Sequence, residues 1–166
     1  CWFTFAVHER KLSGQLYPFF RRNQGITSGA CVLWDDSGHQ LHDCIYHKNL
    51  WHLPIPEDHE LTDIRLANGL HYKCLKPLEK YELHYVDADR EEVEIHLTYD
   101  AICEPNRLGE SHLDQPGRYS GTIRIEGETI KVDAFGMRDR SWGSRSQIGP
   151  SLHPAAPYVP VCYISA

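Results

Sequence analysis

Along this chain apolar and polar residues alternate with a period of two far more persistently than they recur at helical spacing. Tyr81, Leu83 and Tyr85 alternate with Lys80, Glu82 and His84, and Val93, Ile95, Leu97 and Tyr99 alternate with Glu92, Glu94, His96 and Thr98. Successive side chains of a strand project to opposite faces, so each run predicts a strand with one dry and one wet face. Residues 123–132 form two alternating arms about Gly127, which supplies the positive φ of a tight hairpin turn. Further strands are predicted at 2–8, 15–22, 29–34, 40–48, 69–75 and 138–144, punctuated by Asp35-Asp36-Ser37-Gly38 and Ala67-Asn68-Gly69. No window carries the i, i+3, i+4, i+7 pattern of an amphipathic helix. Many short antiparallel strands without helices leave a sandwich or a barrel. Residues 53–63, 104–116 and 147–160 read as loops, and the four prolines of the last make it resemble a linker.

A length of 166 residues suits one domain with a real core. The expected division is a β domain over 1–146, followed at 147–166 by a linker and the first strand of a further part, because the apolar run 158–164 has no partner. Cys1 stands where Met would be and already opens a strand-like segment, so the expectation is a piece of a longer polypeptide. The formal charge of -6 would repel a phosphate backbone, which argues against nucleic acid as a partner. No stretch approaches the roughly 20 apolar residues of a membrane span. The six cysteines lack any C-x-x-C pair and mostly lie within apolar runs, which reads as reduced thiols in a cytoplasmic protein. As to assembly, the sequence admits a homo-oligomer.

Eleven histidines raise the question of a metal. His39, His42, His47 and His52 are separated by 3, 5 and 5 residues, which puts consecutive members on opposite faces of a strand, and no H-E-x-x-H occurs. No metal site is assigned. Neither a G-x-S-x-G elbow nor a Gly-rich phosphate loop is present, and no cofactor is assigned. The densest chemistry lies in Phe135-Gly136-Met137-Arg138-Asp139-Arg140-Ser141-Trp142-Gly143-Ser144-Arg145. On an unbroken strand Asp139, Ser141 and Arg145 project to one side, and Arg138, Arg140 and Trp142 to the other. Both faces then carry charge, which a half-buried strand tolerates only if the charges pair or do chemistry. Pairing would give an Arg/Asp network with Trp142 stacked on a guanidinium. Chemistry would begin with Asp139: a carboxyl lining an apolar cavity has its pKa raised and becomes a general acid, with Trp142 steadying a developing cation. Contact with the flanking arginines would pull that pKa the other way.

This run, together with His112-Leu113-Asp114-Gln115-Pro116-Gly117-Arg118-Tyr119-Ser120-Gly121, resembles a bacterial family with the motifs H-x-[DE]-Q-x-x-R-x-x-G and G-x-R-D-[HR]-S-W-G-x-R. That family is similar to the AttH-like proteins and, more remotely, to the carotenoid 1,2-hydratases (hydroxyneurosporene synthase-like proteins) and fungal Diels-Alderases. The resemblance covers nearly the whole chain. It implies the first of two lipocalin-like barrels, an all-β fold with a closed or strongly curved sheet, and a hydrophobic cavity that holds an isoprenoid, polyketide, steroid or fatty ligand. In the hydratase branch an aspartate at the position of Asp139 acts as the acid. Arg140 and Ser141 replace the His and Asn usual there, which points away from carotenoid hydration itself. His112 and Gln115 match the other motif, and a strand-end hydrogen-bonding role is expected of them.

The expected function is therefore the binding of a hydrophobic small molecule, with acid–base hydration, isomerisation or cyclisation by a lyase- or isomerase-type site. Asp139 is the acid, Arg138, Arg140 and Arg145 are its electrostatic partners, Trp142 is the aromatic wall, and His112 and Gln115 support the motif. The alternative is a non-catalytic carrier in which the Arg-Asp-Trp group is a structural clasp.

Overall fold

The computed structural model describes residues 1–38, 40, 42–87, 89, 90 and 92–143. Eleven strands are formed: β1 (Trp2–Val7), β2 (Leu12–Arg21), β3 (Ile26–Trp34), β4 (Tyr46–Pro54), β5 (Asp63–Arg65), β6 (Leu70–Lys76), β7 (Lys80–Val86), β8 (Val93–Ala101), β9 (Asn106–Arg107), β10 (His112–Ile125) and β11 (Glu128–Ser141). Two single-turn 3-10 helices, His8–Arg10 and Arg22–Gln24, link the first three. Every pairing is antiparallel, in the order β4-β3-β2-β1-β11-β10-β8-β7-β6-β5, with β9 pairing β10. The sheet curls through 280° into a half-barrel, so the expected all-β, lipocalin-like architecture is the one observed, as a strongly curved sheet.

Alternation decides what faces inward. On β8, Val93, Ile95, Leu97 and Tyr99 are buried while the residues between them are half-exposed. Phe3, Phe5, Leu16, Leu33, Leu83 and Ile95 belong to one continuous core inside the curl. The hairpin between β10 and β11 turns at Glu126 and Gly127, which have φ of 52° and 78°. Two left-handed residues twist the turn with the strands, so this long arm pair stays in register for its whole length.

Among the described residues no ladder joins the outermost strands, and side chains bridge the seam. Asn68 donates from Nδ2 to the carbonyl of Gly29 on β3 (3.1 Å) and accepts from the Leu70 amide (3.2 Å). A Cβ on Gly29 would lie 2.4 Å from that Nδ2, so only glycine lets the amide in. Further along, Tyr46 and Lys48 of β4 donate to Asp87 just past β7, at 2.8 and 2.7 Å, and the hydroxyls of Tyr46 and Tyr85 lie 2.5 Å apart. These contacts close one end of the curl.

Three expectations are corrected. Residues 40 and 42–45 are not strand: Asp43 donates its amide to the Gln40 carbonyl and accepts from the Gln40 amide through its carboxylate, which makes a turn and delays β4 to Tyr46. The expected loop 53–63 ends in a short edge strand, β5. The expected loop 104–116 contains the start of β10, because Pro116 costs the ladder little where it stands: its carbonyl turns toward Ile102. The missing amide therefore lies on the flank where β10 passes from β9 to β8, not on the β11 side. Arg145, Cys162, the loop 147–160 and the expected following strand lie outside the described residues. No helix among the described residues is long and apolar enough to cross a membrane.

Candidate functional site

The β10–β11 register sets Gln115 opposite Arg138, Asp114 opposite Asp139 and His112 opposite Ser141. Opposed residues share a face and consecutive residues do not, so the motif divides into two separate groups. Gln115 and Arg138 point into the half-barrel and are buried; Asp114, Asp139 and His112 lie on the outer face, partly covered. The division of Asp139 and Ser141 from Arg138, Arg140 and Trp142 follows the alternation read in the sequence.

The inner group centres on Arg138, whose side chain is 0% exposed. Its Nη1 donates to Gln115 Oε1 at 3.3 Å, and its guanidinium lies over the Tyr81 ring, 4.5 Å from the centroid. The ring beneath this guanidinium is that of Tyr81 rather than Trp142, and Asp139 does not meet Arg138 because adjacent strand residues face apart. Gln115 is held by donating from Nε2 to the carbonyls of Leu78 (2.7 Å) and Cys103 (2.9 Å), which is a hydrogen-bonding role at a strand end. Tyr81 is fixed through its hydroxyl, which accepts from the Leu78 amide at 2.8 Å. Phe3, Tyr72, Tyr81, Tyr99 and Tyr119 stack around the same point, with ring centroids 5.2 to 6.0 Å apart. These rings occupy the space where the resemblance implies a ligand chamber.

Two donors of Arg138, Nε and Nη2, are buried with no hydrogen-bond partner. No carboxylate among the described residues makes an ion pair with it. The tyrosines do not serve as counter-ions. Burial pushes the phenols of Tyr99 and Tyr119 upward by more than the neighbouring guanidinium draws them down, so both stay neutral. Their protons are committed in any case, from Tyr99 to the Gln115 carbonyl (2.9 Å) and from Tyr119 to the Met137 carbonyl (2.9 Å).

Arg138 lies near one end of the curl. Trp2 pairs with Asp139, Arg21 with Ile26, Ile26 with Pro54, Cys74 with Tyr81 and Gly117 with Ala101, so the start of β1 and the ends of β2, β4, β6, β8 and β11 meet there. At this end Cys1, Phe20, Leu53, Ile55, Cys74 and Ala101 pack on the core without being fully covered. Arg140 and Trp142 continue the inward parity of Arg138 past the rim, both exposed. The Trp142 amide donates to the Ser111 carbonyl at 2.9 Å.

On the outer face His112 Nε2 lies 3.1 Å from Asp114 Oδ1 and 3.3 Å from Asp139 Oδ2, and Ser141 donates to Asp139 at 3.3 Å. One ligand atom from each of His112, Asp114 and Asp139 falls within 4.8 Å of the others, so these three could hold a metal ion. Sequence reasoning missed Asp114 here, although H-x-D on a strand puts both side chains on one face.

A second group was also missed. His71, His84 and His96 are register partners across β6, β7 and β8. His84 Nδ1 and His96 Nδ1 are 2.8 Å apart, His96 Nε2 is 2.6 Å from Glu94, and His71 is 2.7 Å from Asp63. Burial, then His96, then His71 hold the His84 imidazole below its ordinary value of 6.5. The unfolded chain therefore binds this proton more readily than the folded one. Stability is complete above the ordinary imidazole value and declines as pH falls below it toward the lower folded value. The expected result is a urea midpoint that falls between about pH 7 and 5, with a shallower fall in His84→Gln. An identical profile in the variant would assign the fall to other groups.

A sheet groove of about 350 Å³, lined by Val7, Glu9, Arg10, Thr129, Ile130, Lys131 and Asp133, lies far along β11 from Arg138 and includes none of the motif. Cys31, Cys44, Cys74 and Cys103 are free thiols, and burial pushes that of Cys31, inside the core, well up. A family model described as Domain of unknown function (DUF7064) matches residues 1–153. No curated protein and no solved structure matches the chain.

Proposed function

Because the chain belongs to the DUF7064 family, whose description assigns no activity, we propose its function from the site itself: the half-barrel binds an apolar small molecule with a polar end, taken in where β1 begins and β11 finishes. The observation that carries this reading is Arg138, a fully buried cation in an aromatic interior with two donors unused and, among the described residues, no anion beside it. A buried charge costs several kcal/mol unless it is paired, and a ligand reaching in from that end would supply the missing partner. The part-covered apolar residues at that end give the body of such a ligand a surface. The resemblance to AttH-like and carotenoid hydratase-like proteins agrees, since it implies isoprenoid, polyketide, steroid or fatty ligands.

Of the two forms of this function, the carrier form has more support, because Asp139 faces away from the interior. One observation favours acid–base catalysis: His112 lies 3.3 Å from the Asp139 carboxylate and could pass it a proton. A single experiment addresses both forms. Native mass spectrometry of the purified chain, followed by titration with the neutral apolar dye Nile red, is expected to reveal a co-purifying compound or about one dye per chain, with quenching of Trp142. Absence of both a co-purifying compound and dye binding would overturn the proposal. Asp139→Asn is expected to bind within about twofold of the wild type; conversion of the bound compound that is lost in this variant alone would establish the catalytic form.

A further inference from the structure

The unused edge of Arg138 specifies the polar end more closely. A guanidinium offers two side-by-side donors, Nε–H and one Nη2–H, in a planar fork that matches the two oxygens of a carboxylate. The same protein demonstrates the match: Arg118 donates from Nε to one oxygen of Asp133 and from Nη2 to the other, both at 2.6 Å. In Arg138 these two atoms are the ones without a partner, while Nη1 is occupied by Gln115 and the ring of Tyr81 supports the guanidinium face. We infer that Arg138 is the receptor for the carboxylate of an amphiphilic monocarboxylic acid, its apolar body lying toward the part-covered apolar residues at this end of the curl. This rests on the reading of the half-barrel as a binder of apolar small molecules.

Charge and donor count both favour a carboxylate over a phosphate. One guanidinium carries one positive charge, which a carboxylate neutralises and a phosphate dianion exceeds. Two donors satisfy a planar group with two oxygens, whereas a tetrahedral group would bring further oxygens into a site whose nearby Tyr99 and Tyr119 hydroxyls already donate elsewhere. Arg140, two residues along the same inward face and exposed at the rim, places a second cation on the approach without competing for the buried position.

The test compares laurate, 1-dodecanol, dodecyl phosphate and acetate on the full chain by calorimetry, below their micellar concentrations, for the wild type and Arg138→Met. Laurate is expected to bind the wild type at least about tenfold more tightly than 1-dodecanol or dodecyl phosphate, and this preference is expected to shrink to about twofold or less in the variant. If 1-dodecanol or dodecyl phosphate binds as well as laurate, the carboxylate assignment fails while the apolar-ligand reading stands. If none of the long-chain compounds binds, that reading fails with it. Acetate binding as tightly as laurate would make a free small anion the ligand and overturn the amphiphile. A second measurement does not depend on the variant folding: in protein labelled with ¹⁵N-arginine, a buried Nε–H resonance should move on addition of laurate and stay still with 1-dodecanol. The reverse pattern overturns the assignment.

Discussion

Replacing Asp87 with alanine is expected to lower stability by about 3 kcal/mol and the melting temperature by roughly 10 °C, in line with the loss of one partner from a buried charge group. Asp87 is 2% exposed and accepts from Lys48 Nζ (2.7 Å), Tyr46 (2.8 Å) and the amides of Asp89 (3.0 Å) and Arg90 (3.3 Å). Alanine leaves all four donors without this acceptor at the point where the sheet has no ladder to hold its edges together. Asp87→Asn keeps an acceptor oxygen and loses only the charge, so it should cost less. Burial pushes the Asp87 carboxyl up, but the hydrogen bonds from Lys48, Asp89, Tyr46 and Arg90 outweigh it and hold the group well below its ordinary value of 3.8. The carboxylate's contribution is therefore present in full above the ordinary carboxyl range and is lost as pH falls through that range toward the lower folded value. Tyr85, pushed up to about 12 chiefly by burial, stays neutral throughout. Urea denaturation from neutral to acid pH should show a slope in the wild type that is reduced in Asp87→Ala. Loss of under about 1 kcal/mol, with the slope intact, would mean that the seam is held elsewhere.

Much of this architecture could be read from alternation alone, and the limits have particular causes. The Gly127 hairpin was legible, and extending its register pairs 115 with 138 and 114 with 139, as the fold does. What stopped that extension was Pro116, read as the end of a loop. Pro116 turns its missing amide toward a flank without a continuous ladder, and at Gly117 the absence of a Cβ makes room for the Tyr99 ring, 2.1 Å from where one would stand. Which face carries Arg138 followed from parity; that the face is a packed aromatic interior depended on how the sheet curls. The histidine row needed the β7–β8 pairing to be centred on Arg90, because only then does His84 meet His96. Nothing local marks Asp87 as buried, since Tyr46 and Lys48 reach it from the far edge of the sheet.

Replacing Arg138 with methionine is expected to act in the opposite direction, raising the stability of the ligand-free protein by about 1–3 kcal/mol. The guanidinium gives up its hydration for one hydrogen bond of 3.3 Å, worth about 1 kcal/mol, and one ring contact, worth about 2 kcal/mol when desolvated. Desolvation of an unpaired ion costs more than these return. Methionine is unbranched, fills a similar path among the rings of Phe3, Tyr72 and Tyr81, and makes favourable sulfur–aromatic contacts, at the cost of leaving Gln115 Oε1 without its donor. Chemical denaturation of both proteins measures the difference, and a loss of more than about 2 kcal/mol in the variant would show that the guanidinium is already compensated in the free protein. Repeating the measurement with laurate separates cost from purpose. A ligand at about 100 times its dissociation constant adds about 2.7 kcal/mol to any fold that binds it, so the wild type should recover what methionine gained, and the variant, binding at least about tenfold more weakly, should gain at most about half as much. A cation that weakens the empty barrel and strengthens the filled one belongs to the ligand site rather than to the core.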